Sequence, residues 1–165
     1  MRTLIAPLIL ALTALPVAAL ALTPSERAPS GDTAAALTIT QAGESTILSL
    51  KQLEQLDLYD VDMHHPEGLK GEFTGVLVND LVDAHGLDEA TRIRLVAADD
   101  YTTFLTPAER EEKQYLLVTR FEGEPIPLDK QGPLMLVVPA DAEAVRTGAL
   151  PMTKWIWSVI EIRAR

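Results

Sequence analysis

The chain has 165 residues, 47% of them hydrophobic and 23% charged, with no cysteine and a formal net charge of −10. Its length suits one ordinary domain. The missing cysteine removes disulfides, iron–sulfur clusters and thiol nucleophiles together, and the acidic balance argues against a nucleic-acid partner, which would need clustered Lys and Arg.

Residues 1–21 read as a secretory signal peptide. Arg2 is followed by an apolar run from Leu4 to Leu15, Pro16 breaks it, and Ala19-Leu20-Ala21 fits the small-x-small cleavage pattern. An uncleaved anchor is the rival, since the apolar stretch is long enough to allow it, but Pro16 and the small-residue end favour cleavage. The expectation is a cleaved, exported chain, periplasmic or secreted, that is not embedded in the membrane. Without disulfides it must rest on its hydrophobic core.

Residues 22–35 mix Pro, Ser, Gly and Ala without apolar period and read as a flexible leader ahead of one domain over 36–165. Leu37–Thr40 and Thr46–Leu48 alternate as strands, and Gln41-Ala42-Gly43-Glu44 between them makes a hairpin turn. Ser49 with Gln52 predicts a capping box opening a short helix through Leu53 and Leu56. Leu58–Met63 alternates again, and His64–Gly71 reads as a loop from its Pro and Gly content. Phe73-Thr74-Gly75-Val76 leads into a helix over about 78–85, closed by Gly86. A strand over 92–98 turns at Asp99-Asp100 into Tyr101–Phe104. Thr106-Pro107-Ala108-Glu109 is a second capping signature. Tyr115–Phe121, Leu134–Val138 and Trp155–Ile162 read as further strands. Strands outnumber short, scattered helices, which predicts an α+β fold that is mainly β with short peripheral helices.

The segment Phe73-x-Gly75-Val76-x-Val78-x-Asp80-Leu81-Val82-x-x-x-Gly86 resembles the opening motif of the oxidoreductase molybdopterin-binding domain, the central domain of sulfite oxidases. Ala97-Ala98-Asp99-Asp100-Tyr101, Gly132-Pro133-Leu134-Met135-Leu136-Val137-Val138-Pro139 and Trp155-x-Trp157-x-x-x-x-Ile162 follow in that family's order. The resemblance implies a sulfite-oxidase-type fold and a molybdenum–pterin cofactor. It also implies a cysteine thiolate on the metal from the segment ahead of Phe73, where this chain has Asp60-Val61-Asp62-Met63-His64-His65. The fold is therefore carried over and no catalytic residue is. Asp100 stands where the pattern has Gly, a substitution a positive φ tolerates.

Outside the resemblance, Asp60, Asp62, His64 and His65 are the one cluster with metal-ligand chemistry. On a strand, Asp60, Asp62 and His64 would share a face. The bland reading makes them solvated positions, with Val61 and Met63 turned into the core. Asp62, His64 and His65 are thus weak metal candidates. Trp155 and Trp157 are packing residues or the aromatic wall of a pocket, with Lys154 and Tyr101 the polar groups beside them. The ligand-binding set is Met63, His64, Asp100, Tyr101, Lys154 and Trp155.

Two functions follow. One is a non-catalytic ligand-binding or accessory protein that needs no cofactor and serves a membrane-bound sensor or redox subunit. The other is a periplasmic oxidoreductase holding molybdopterin with Met63 or His64 in the thiolate's place.

Overall fold

The computed structural model describes residues 20–165, so nearly all of the expected signal peptide lies outside the described residues. Two sheets share one hydrophobic core. The first sheet runs β1 (Thr23–Pro24), β4 (Leu58–His64), β5 (Lys70–Leu77), β8 (Leu116–Phe121), β10 (Met135–Val137), with β9 (Glu124–Pro125) turned back onto β8; every pairing in it is antiparallel. The second runs β3 (Glu44–Ser49), β2 (Ala35–Gln41), β11 (Val159–Ala164), β6 (Ile93–Ala97), β7 (Thr102–Leu105). Among the described residues only β2 and β11 pair in parallel, bringing the first long strand beside the last. The helices are short: α1 (Leu50–Leu53), α2 (Val78–Ala84), α3 (Pro107–Glu112) and α4 (Ala142–Arg146). The fold is α+β and mainly β, as the order of elements predicts.

Local chemistry explains most boundaries. The β2–β3 hairpin turns through Ala42 and Gly43, both at positive φ, which suits the twist of the flanking strands. At α1 the Ser49 hydroxyl accepts the Gln52 N–H while the Gln52 side chain accepts the Ser49 N–H. Thr106 and Glu109 do the same for α3, with Pro107 at its first position. Gly86 takes φ 63° just past α2. Leu116, Leu117, Val118 and Thr119 are buried in succession, so β8 is covered on both faces. That placement suits the middle of a sheet.

The structure departs from the sequence reading in four places. Residues 22–35, expected to be a flexible leader, run along the first sheet with defined partners. β1 pairs with β4, the Ser25 N–H donates to the Leu58 carbonyl, and the Lys51 N–H donates to the Asp32 carbonyl. The Ser30 N–H reaches the buried Glu54 carboxylate at 2.5 Å. Ordering here comes from contacts with residues far along the chain, which composition does not register. β5 begins at Lys70, inside the expected loop, because Lys70 and Gly71 pair with His64 and Met63. α4 has no side-chain cap and left no signature in the sequence. Trp155–Ile162 is not one strand: β11 starts at Val159, and the preceding stretch makes an isolated bridge in which Ile156 and Leu136 exchange two backbone hydrogen bonds. That bridge ties the last strand of the first sheet to the approach of the second.

Candidate functional site

β4 ends at the position where the sequence concentrates histidine. Its pairing with β5 turns Val61 and Met63 into the core, with Met63 3% exposed, and leaves Asp62 and His64 outside. His65 turns inward again and is 1% exposed. Its ring meets Trp155 edge-on at 5.3 Å and lies nearly parallel to Phe73 at 6.2 Å, and Phe73 in turn contacts Phe121 at 4.9 Å. The His65 Nδ1 accepts the Glu67 N–H at 3.1 Å, so the proton of the neutral ring sits on Nε2. Burial pushes the His65 pKa down to about 4.

The weak metal candidates are therefore not brought together. Asp62 and His64 point away from the face that His65 occupies, and Asp60 accepts the Thr74 hydroxyl at 2.6 Å. Among the described residues no three His, Cys, Asp or Glu side chains converge as metal ligands would.

The best-formed cleft lies on the other side of Trp155. It has a volume of about 370 Å³ and is lined by Ala97, Asp99, Tyr101, Met152, Thr153, Trp155, Ile156 and Trp157. One wall is the β6–β7 turn. There the Asp100 N–H donates to the Ala97 carbonyl, the Ala97 N–H donates to the Tyr101 carbonyl, and Asp99 Oδ1 accepts the Tyr101 N–H at 3.1 Å. Asp100 sits at φ 66°, the left-handed conformation that makes this turn possible. The opposite wall is residues 152–157. It is stapled to the turn by the Ala98 N–H on the Ser158 carbonyl, and to β7 by the Thr103 hydroxyl on the Thr153 carbonyl at 2.8 Å.

Of the expected ligand-binding set, Tyr101 and Trp155 line this cleft, with Tyr101 49% exposed and Trp155 2% exposed. Asp100 shapes its turn, while the neighbouring Asp99 supplies the carboxylate. Lys154 faces away: its ammonium pairs with Glu109 at 2.7 Å and donates to the Phe104 carbonyl at 2.5 Å. Met63 and His64 are not in the lining. The sequence reading missed Asp99, Met152 and Thr153 as lining residues. Asp99 was within reach, because a carboxylate two residues before Tyr101 can cap that turn. Nothing local marked Met152 or Thr153.

The family model of the oxidoreductase molybdopterin binding domain matches residues 49–162. The chain belongs to that family. The match begins at the N-cap of α1 and ends inside β11, so it covers the first sheet apart from β1, the strands β6, β7 and most of β11 of the second, and both cleft walls. A search of curated proteins finds no match.

The family's cofactor makes chemical demands that these residues do not meet. A molybdenum–pterin centre anchored in the family manner needs a thiolate, and the chain has no cysteine. In the corresponding segment Met63 offers a thioether inside the core, and His64 an imidazole on the opposite face. A pterin phosphate or an oxyanion also needs cations, and no Lys or Arg lines the cleft. Elsewhere in the fold Arg27 pairs with Glu72, Arg120 with Glu54, Lys113 with Asp141 and Arg163 with Glu161. The donor set fits neither the metal nor the phosphate.

Among the described residues no helix is long and apolar enough to cross a membrane.

Proposed function

We propose that this protein is an exported, non-catalytic ligand-binding or accessory protein built on the molybdopterin-binding fold of its family. The observation that carries the reading is the charge and donor chemistry of the cleft: aromatic and apolar walls, one carboxylate, and neither thiolate nor cation. Such a site holds a small organic molecule by surface complementarity and a few polar contacts. It offers no thiolate to anchor a metal and no cation to hold an oxyanion.

In this reading residues 1–21 are removed on export, 22–35 lie along the domain, and the mature protein works in the periplasm or outside the cell. Its partner is a membrane-bound sensor or redox subunit that reads the state of the cleft. The rival reading, an oxidoreductase holding molybdopterin without a thiolate, draws on the family match. It requires Met63 or His64 to take the thiolate's place, and neither lines the cleft. Non-catalytic binding is therefore favoured.

Native mass spectrometry of protein recovered from the host's periplasmic fraction tests the reading. The expected species starts at Leu22 and carries either nothing or a small organic ligand. A chain retaining residues 1–21, or one with the mass excess of a molybdopterin, would overturn it.

A further inference from the structure

Both tryptophans of the chain and one of its three tyrosines line the same small cleft. Aromatic faces carry negative electrostatic potential and attract cations, most strongly from Trp. Asp99 is the single charged side chain in the lining. One of its oxygens is used on the Tyr101 N–H, and among the described residues the other has no hydrogen-bond or ion-pair partner. Lys154, the cation within the 152–157 wall, is held by Glu109 and the Phe104 carbonyl and is not in the lining. The whole chain adds a net charge of −10, a field that gathers cations and repels anions. Shape, local charge and long-range charge therefore select the same sign of ligand. It is opposite to that of a pterin phosphate or an oxyanion.

We infer that the cleft binds a small organic cation, an alkylated ammonium group seated against Trp157 and Tyr101 with Asp99 as its counter-charge. A volume of about 370 Å³ suits a molecule of this size taken up as a free solute. This inference rests on the ligand-binding reading above and specifies its chemistry.

Calorimetric titration of the mature chain with choline, and with its uncharged isostere 3,3-dimethylbutan-1-ol, separates charge from shape. Choline should bind saturably and the alcohol at least about tenfold more weakly, the scale expected of a cation on aromatic faces. Asp99→Asn keeps an oxygen for the Tyr101 N–H, so the turn survives; it should weaken choline about tenfold and leave the alcohol unchanged. Tyr101→Leu, at an exposed position, should weaken choline. Equal affinity for choline and the alcohol, indifference of choline binding to Asp99→Asn, or no saturable choline binding would each overturn the inference.

Phosphatidylcholine vesicles supply the same group on a lipid. Vesicle binding that free choline displaces would assign a headgroup, and binding of free choline alone would assign a solute; both outcomes support a cation site. Failure of the broader reading looks different, because a molybdopterin would then be found on the native protein whatever choline does.

Discussion

Among the charged side chains Glu54 is the most deeply buried, 1% exposed at the end of α1, and it is tolerated because Arg120 arrives from β8 to meet it. Burial by itself would raise the Glu54 pKa. Hydrogen bonds from Arg120, Thr119 and the Ser30 N–H, together with the Arg120 charge, outweigh that and hold the carboxyl below its usual range. Arg120 also donates to the Ala28 carbonyl at 2.9 Å, so one ion pair fastens the leader, α1 and β8. Arg120→Leu should cost about 3–5 kcal/mol in urea unfolding, because it strands a buried carboxylate. Replacing both partners with apolar residues should cost much less.

His65 is a separate residue-scale test. Its folded pKa of about 4 lies below the ordinary 6.5, so between those values the unfolded chain binds a proton that the native chain refuses. Stability from this residue is fully present above pH 6.5, declines as pH falls and stops changing below about pH 4. The total is about 3 kcal/mol. His65→Phe keeps a ring against Trp155 and Phe73 and should flatten that segment of the stability–pH curve. An unchanged slope would mean that the ring takes up its proton while folded.

At the scale of elements, the features legible in the sequence are those whose cause is local. The capping boxes at Ser49 and Thr106, the turn at Ala42-Gly43 and the stop at Gly86 each depend on a few adjacent residues, and each forms as expected. Thr106→Ala should cost about 1 kcal/mol by thermal or urea unfolding, since α3 loses the acceptor for one free N–H. Strands with an apolar pattern of their own are legible too; segments ordered only by distant partners are not. β1 is two residues long and exists through β4, and the ordered leader depends on Arg120, 92 residues beyond Ala28. The glycines of the family pattern acquire a cause only in three dimensions. A Cβ on Gly75 would lie 2.3 Å from the Leu117 carbonyl oxygen, where β5 shifts register against β8; one on Gly132 would lie 1.9 Å from the Ile126 carbonyl oxygen. Gly75→Ala should therefore destabilise by about 1–3 kcal/mol, and an unaffected midpoint in urea would show that the two strands can separate freely there.

At the scale of the molecule, the family frame is kept while the groups that would anchor its cofactor are not. The motifs Phe73–Gly86, Ala97–Tyr101, Gly132–Pro139 and Trp155–Ile162 lie scattered through the chain, yet all four contribute to one core, and the second and fourth line the cleft. Tyr101 and Trp155, which stand out in the sequence for pairing an aromatic ring with a polar handle, both border the cleft. Met63 and His64 stand out in the sequence for donor chemistry alone, and strand alternation sends one into the core and the other to the surface. Asp99 and Asp100 differ by one position, yet the turn gives one the cleft and the other the backbone strain. The electrostatic consequence is global: an acidic molecule with an acidic, aromatic cleft should bind cations less well as salt rises and should show no such loss for neutral ligands.

The most direct measurement is the molybdenum and pterin content of the protein purified from its native host. Essentially no molybdenum and no extractable pterin are predicted, with the protein folded and the cleft open to titration. Molybdenum near one atom per chain, released together with pterin, would contradict the account.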